Sequence, residues 1–158
     1  MDSIKNKKIL LSLLLLISFF IIPITNMFNL ELDKKSNELK EVQFFKPNTN
    51  QYVSLLVEVP HQEEYGIGLS NKDELKNHGM LFKFESQNKY RGFSMKSTKI
   101  NLSIAFIDSK KIIVDIQEMK AHNQTIYTSK FSFNYAIEAP EKWFSNHNIK
   151  TGDSVILP

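Results

Sequence analysis

The stretch INLSIAFIDSKKIIVDIQEM, residues 100–119, decides how the chain folds. Two apolar runs, NLSIAFID and KIIVDIQEM, flank the turn-forming Asp108-Ser109-Lys110, so the spacing predicts a β-hairpin. Leu102, Ile104 and Phe106 fall on one face of the first strand, and Ile112, Val114 and Ile116 on one side of its partner.

Outward from this hairpin, the period of two recurs. EVQFFK and QYVSLLVEV flank the turn PNTN (47–50), and Val53, Leu55, Val57 and Val59 share a face, which predicts a second hairpin. GMLFKF (79–84) reads as a strand, and FSFNYAIE places Phe131, Phe133, Tyr135 and Ile137 together. HQEEYGIGLSNKDEL (61–75) lacks alternation and suggests a short helix, although Gly66 and Gly68 each cost about 1 kcal/mol inside one. EKWFSNH after Pro140 suggests another, with Trp143 and Phe144 plugging the core, and TGDSVILP supplies a turn and a closing strand. Seven or eight short strands with about two short helices point to an antiparallel β-sandwich or a partly open barrel in residues 41–158. A parallel α/β fold would need helices between successive strands, and the pattern lacks them.

The N-terminus has a different character. MDSIKNKKILLSLLLLISFFIIPITNMF carries three lysines and then an apolar run from Ile9 to Ile22 interrupted only by Ser12 and Ser18. Extended to Phe28, residues 9–28 would span roughly 30 Å as a helix, the thickness of a bilayer's hydrocarbon core. No small-x-small cleavage pattern follows, so residues 1–28 read as an uncleaved signal-anchor, with a cleaved signal peptide as the alternative. Lysines ahead of the apolar run place the domain on the periplasmic or extracellular side, or outside the cell if the segment is removed. NLELDKKSNELK (29–40) reads as a polar tether.

Composition excludes several function classes. The absence of cysteine rules out disulfides, thiol nucleophiles and thiolate metal sites. From residue 29 onward 17 basic residues face 16 acidic ones, a net charge of +1, and the chain's single arginine is Arg91. Nucleic-acid binding, which needs concentrated basic residues, is not expected. His61, His78, His122 and His147 stand alone, without metal-ligand spacing, so neither metal nor cofactor is expected. Gly-Ile-Gly (66–68) lacks the context of a phosphate loop. The glycosylation triplets at Asn101 and Asn123 are discounted as chance matches.

Taken together, VEV (57–59), EE (63–64), GL (68–69), GMLF (79–82), FSMKST (93–98), INLSIAFID (100–108), YAIE (135–138) and IKTGDSV (149–155) form a co-linear set. That set resembles the bacterial and archaeal family known as domain of unknown function 192, over roughly residues 52–158. The resemblance implies a compact, mainly β domain, often exported, with no established activity. It also implies that Met95, Lys96, Thr98 and Glu138 keep the family pattern. Elsewhere the chain departs from it: Ser94 stands for the usual Trp and Ser97 for Asn, while Asn101 and Ser103 replace Pro and Asp. Tyr65, Ile67 and Lys72 take the places of family arginines, Ser70 that of a Met, and Lys142 that of a Gly.

Candidate ligand-binding residues are therefore Lys96, Thr98, Ser103 and Glu138, where an ammonium, hydroxyls and a carboxyl could hold an anionic or sugar-like molecule. A structural Glu138–Lys96 ion pair and a Ser103 facing solvent or a neighbouring Thr are the simpler expectations for those residues. No catalytic constellation is present in the sequence. The reading leans to a membrane-tethered, non-enzymatic domain that binds a small envelope ligand or a protein partner. A protein-interaction surface, or a hydrolase whose site forms only in three dimensions, are the alternatives.

Overall fold

The computed structural model describes residues 38–47, 49–85 and 92–158; the expected membrane segment (1–28) and most of the tether (29–37) lie outside the described residues. Leu39–Pro158 form one compact unit. Its strands are β1 (Lys40–Lys46), β2 (Gln51–Glu58), β3 (His78–Lys83), β4 (Phe93–Ser94), β5 (Leu102–Ile107), β6 (Ile113–Met119), β7 (Ile126–Tyr127), β8 (Tyr135–Pro140) and β9 (Ser154–Ile156). Among the described residues one α-helix, α1 (Trp143–Asn146), precedes β9.

Seven strands build one mixed sheet in the order β6-β5-β8-β3-β2-β1-β9, and β4 and β7 pair separately. The domain is mainly β as expected, but the sheet is mixed, which corrects the expectation of a purely antiparallel arrangement. The parallel pairing of β2 with β3, Leu56 beside His78 and Glu58 beside Met80, makes the sheet mixed. Parallel neighbours need a long crossover, and residues 59–77 supply it without the predicted helix. Only a 3₁₀ turn forms there, Gln62–Glu64, its start held by the Glu64 carboxylate accepting from the His61 amide at 3.0 Å. Beyond it, Gly68 takes a left-handed φ of 48° and the chain breaks into turns. The sheet does not close into a barrel. Its two ends meet at a single bridge, Ile112 with Ser154, flanked by bonds from the Ile113 amide to Asp153 O and from the Val155 amide to Lys111 O.

Two cores occupy the two faces of the sheet. The first gathers Val42, Phe44, Leu55, Val57, Leu81, Ala105, Ile107, Ile137 and Phe144, with Trp143 packed against it. The second gathers Leu69, Met80, Phe82, Phe84, Met95, Leu102, Ile104, Phe106 and Phe133. All of β5 is buried, because Leu102, Ile104 and Phe106 face the second core while Ala105 and Ile107 face the first. The predicted hairpin is present, but its register shifts at Phe106/Ile107. That shift puts Ile113 and Ile116 against the first core and Val114 against the second, in place of a common side for Ile112, Val114 and Ile116.

The alternation read at 131–138 begins late. The Ser129 hydroxyl accepts the Phe131 amide at 3.0 Å and turns the chain, which leaves Phe131 58% exposed and starts β8 only at Tyr135.

Candidate functional site

The site begins with three neighbouring strands. β8 lies between β3 and β5, and the register sets Glu138 beside Met80 on one side and Ile104 on the other. Alternation turns all three toward the second core, so a carboxyl group emerges in the middle of an apolar sheet face. Glu138 is only 6% exposed, and its Oε2 has no hydrogen-bond partner among the described residues. Burial pushes its carboxyl from the ordinary 4.5 up to about 8, since the charged form loses its water and gains nothing in exchange.

Two segments cover this face. The turns at Tyr65–Ser70 and the segment Gly92–Thr98 border a solvent-open cavity of about 490 Å³ that has Glu138 in its lining. The first is fastened to the sheet by the Tyr65 hydroxyl, which accepts the Lys83 amide at 2.8 Å and donates to the Lys83 carbonyl at 2.9 Å. In the second, Met95 is buried as an anchor and the Thr98 amide donates to Met95 O at 3.0 Å, making a tight turn. The Asn71 amide donates to Ser97 O at 3.0 Å and ties the two segments together.

Tyr65, Phe82, Phe84 and Phe93 form the aromatic wall. Their rings meet edge to face, Tyr65 with Phe82 at 5.1 Å and Phe82 with Phe93 at 5.2 Å, a geometry that aromatic quadrupoles favour. Ser70, Ser94, Ser97, Lys96 and Thr98 add polar groups. Lys96 is exposed, Thr98 is buried, and Lys96 and Glu138 are the only lysine and carboxylic acid among the described lining residues.

Three of the four residues singled out in the sequence thus line one cavity: Lys96, Thr98 and Glu138. Among the described residues, no ion pair joins Glu138 to Lys96, contrary to the simpler expectation; the carboxyl sits too deep in the apolar sheet face, and burial alone sets its proton affinity. Ser103 lies elsewhere, on the opposite face of β5. It is fully buried rather than facing solvent, because neighbouring strands and α1's entry cover it. Its hydroxyl donates to Glu118 Oε2 at 2.7 Å and accepts the Lys142 amide at 2.8 Å.

Sequence reasoning missed the aromatic wall and a charge cluster beside the crossover. In that cluster Glu58 accepts from Lys72 Nζ at 2.7 Å and lies 2.8 Å from His78 Nε2. Burial raises the Glu58 carboxyl, but the bonds from Lys72 and His78 outweigh it, and the net effect is a lowered pKa. The recurrence of Phe at 82, 84 and 93 was the available signal for the wall; residues 58, 72 and 78 meet only through the unforeseen parallel pairing.

A second cavity, of about 450 Å³, is lined by Lys46, Thr49, Lys150 and Asp153 among others. Its polar groups serve the fold: Asp153 accepts the Lys150 amide at 2.9 Å and Lys46 donates to His147 O at 3.4 Å. Among the described residues no group of His, Cys, Asp and Glu could hold a metal ion.

Residues 45–157 match the family DUF192, described as Uncharacterized ACR. No curated protein matches the chain. Solved structures share the fold, two of them as follows. A candidate transcription regulator from Sinorhizobium meliloti 1021 is 23% identical, covering 77% of this chain and 95% of its own, with a TM-score of 0.71. A protein of unknown function from Novosphingobium aromaticivorans DSM 12444 is 20% identical, covering 75% and 85%, with a TM-score of 0.69.

Proposed function

The chain belongs to the domain of unknown function 192 family, and from that premise we propose that it is a membrane-tethered envelope domain that binds a small ligand in the cavity over Glu138. One observation carries this reading. A buried carboxyl without a partner among the described residues costs stability, and it is placed where a ligand entering beside the aromatic wall would complete it. Tethering rests on the apolar run of residues 9–28 behind three lysines.

Binding is favoured over hydrolysis because, among the described lining residues, Glu138 has no second carboxyl and no histidine to share a proton-transfer step. The name of the Sinorhizobium neighbour adds nothing toward DNA contact in a chain with a single arginine and near-balanced charge.

The test is a thermal-melt screen of the full chain, in an uncharged sugar-headgroup detergent, against sugars, wall fragments, amines, nucleotides and lipid headgroups. A ligand at about 100 times its dissociation constant should add about 2.7 kcal/mol, a shift of several degrees. Thr98→Val and Lys96→Ala should reduce the shift. If every class is silent, the cavity is not a binding site, and the exposed apolar side chains Tyr52, Leu56 and Ile156 on β2 and β9 become the surface of interest, as a protein-docking face.

A further inference from the structure

The cavity's chemistry narrows the ligand class. Glu138 is flanked by Met80 from β3 and Ile104 from β5, and faces the cavity that Tyr65 and Ser70 of the crossover and Lys96 of the Gly92–Thr98 segment also line. Lys96 alone among these carries a charge, and it is exposed and unpaired with the carboxyl. Among the described residues, therefore, none supplies a counter-ion for Glu138. The protein does supply four aromatic rings around the same space.

Resting on the binding reading above, we infer that the ligand is a small organic ammonium ion, its N–H groups on the Glu138 carboxylate and its carbon skeleton against Tyr65, Phe82, Phe84 and Phe93. A cation satisfies the orphaned oxygen through a charge-assisted bond, the strongest kind available to a carboxylate. Aromatic rings attract the same cation where it is stripped of water. A neutral hydroxyl would satisfy the oxygen without using either advantage, and an anion could only accept the carboxyl's own proton, leaving the orphaned oxygen unserved and gaining nothing from the ring faces. Lys96, at the solvent end, is free to meet an acceptor at the far end of a longer ligand.

Proton linkage follows. Because burial holds the carboxyl at about 8, Glu138 is mainly protonated at neutral pH and must release its proton as the ammonium binds. Affinity then rises about tenfold for each pH step of one below 8.

The experiment is calorimetry on the full chain in the same uncharged detergent, with phenethylammonium, 2-phenylethanol and phenylacetate as probes of equal size. Phenethylammonium should bind at pH 7 with release of close to one proton, read from buffers of different ionisation heat, and about tenfold more weakly at pH 6. 2-Phenylethanol should bind at least tenfold more weakly, and Glu138→Gln should abolish the preference for the amine. Equal or tighter binding of the alcohol or the acid, amine binding without proton release, or an unaltered preference in Glu138→Gln would overturn the inference. If none of the three probes binds while the thermal screen finds another class of ligand, the ammonium assignment fails and the cavity stands; silence in both removes both.

Discussion

Replacing Glu138 by Gln should make the protein more stable, and more so as the pH rises. Below 4.5 the carboxyl is protonated in the folded and unfolded chain alike, and the two variants should match. Between 4.5 and about 8 the folded protein holds a proton that the unfolded chain has lost, so wild-type stability falls as the pH climbs. Gln carries no proton to lose and has no such slope. A rise from 4.5 to about 8, at about 1.4 kcal/mol for each tenfold change in proton concentration, sets a ceiling of about 5 kcal/mol on the gap. About 2 kcal/mol of it should be open at pH 6. Urea unfolding of both variants at pH 5, 6, 7 and 8 measures the gap, and Trp143, the chain's single tryptophan, packed against the first core, reports the transition. Stabilities that stay parallel within about 0.5 kcal/mol from pH 5 to 8 would show that the carboxyl is solvated or paired, and would remove the reasoning built on it.

Lys142 enters α1 with a left-handed φ of 59°, where the family pattern has Gly, so Lys142→Gly should raise stability by about 1 kcal/mol in the same unfolding assay. Gly79 has no room for a side chain, since a Cβ would collide with the Glu138 backbone carbonyl and touch Leu55; Gly79→Ala should cost about 2 kcal/mol or more and lower the melting temperature by several degrees. Ser103→Ala removes one of the two acceptors of the Lys142 amide and the hydroxyl donor to Glu118, and should cost about 1 kcal/mol, without affecting ligand shifts in the thermal screen. Glu58→Gln should cost up to about 1 kcal/mol at pH 7 after solvent screening, and the loss should begin to shrink as the pH falls below 4.5 and disappear once it has passed the lowered value of the folded carboxyl, because the unfolded chain takes up its proton first.

Local pairing was legible in the sequence. The hairpin around Asp108-Ser109-Lys110 and the common face of Val53, Leu55 and Val57 are present because period-two burial and turn chemistry are written in neighbouring residues. The mixed sheet was hidden, because pairing β2 with β3 depends on how residues 59–77 cross, and that path rests on Gly68, the Tyr65 clamp and the Glu58–Lys72 contact rather than on any repeat. Double-sided burial of β5 obscured the site in the same way: a strand covered on both faces gives no alternation to separate Ser103 on one side from the cavity side. Lys96, Thr98 and Glu138 were recognisable as a set through motif order, while the depth of Glu138 and its lack of a partner arise only when Met80 and Ile104 flank it.

The most direct test is a pH titration of the Glu138 side-chain carboxyl by carbon-13 NMR, with the resonance assigned through Glu138→Gln. A midpoint near 8 is the expected result: a neutral, unpartnered acid in the cavity lining, ready for a ligand to complete. A midpoint near 4.5 would mean that water or a protein cation already serves the group, and would contradict the account.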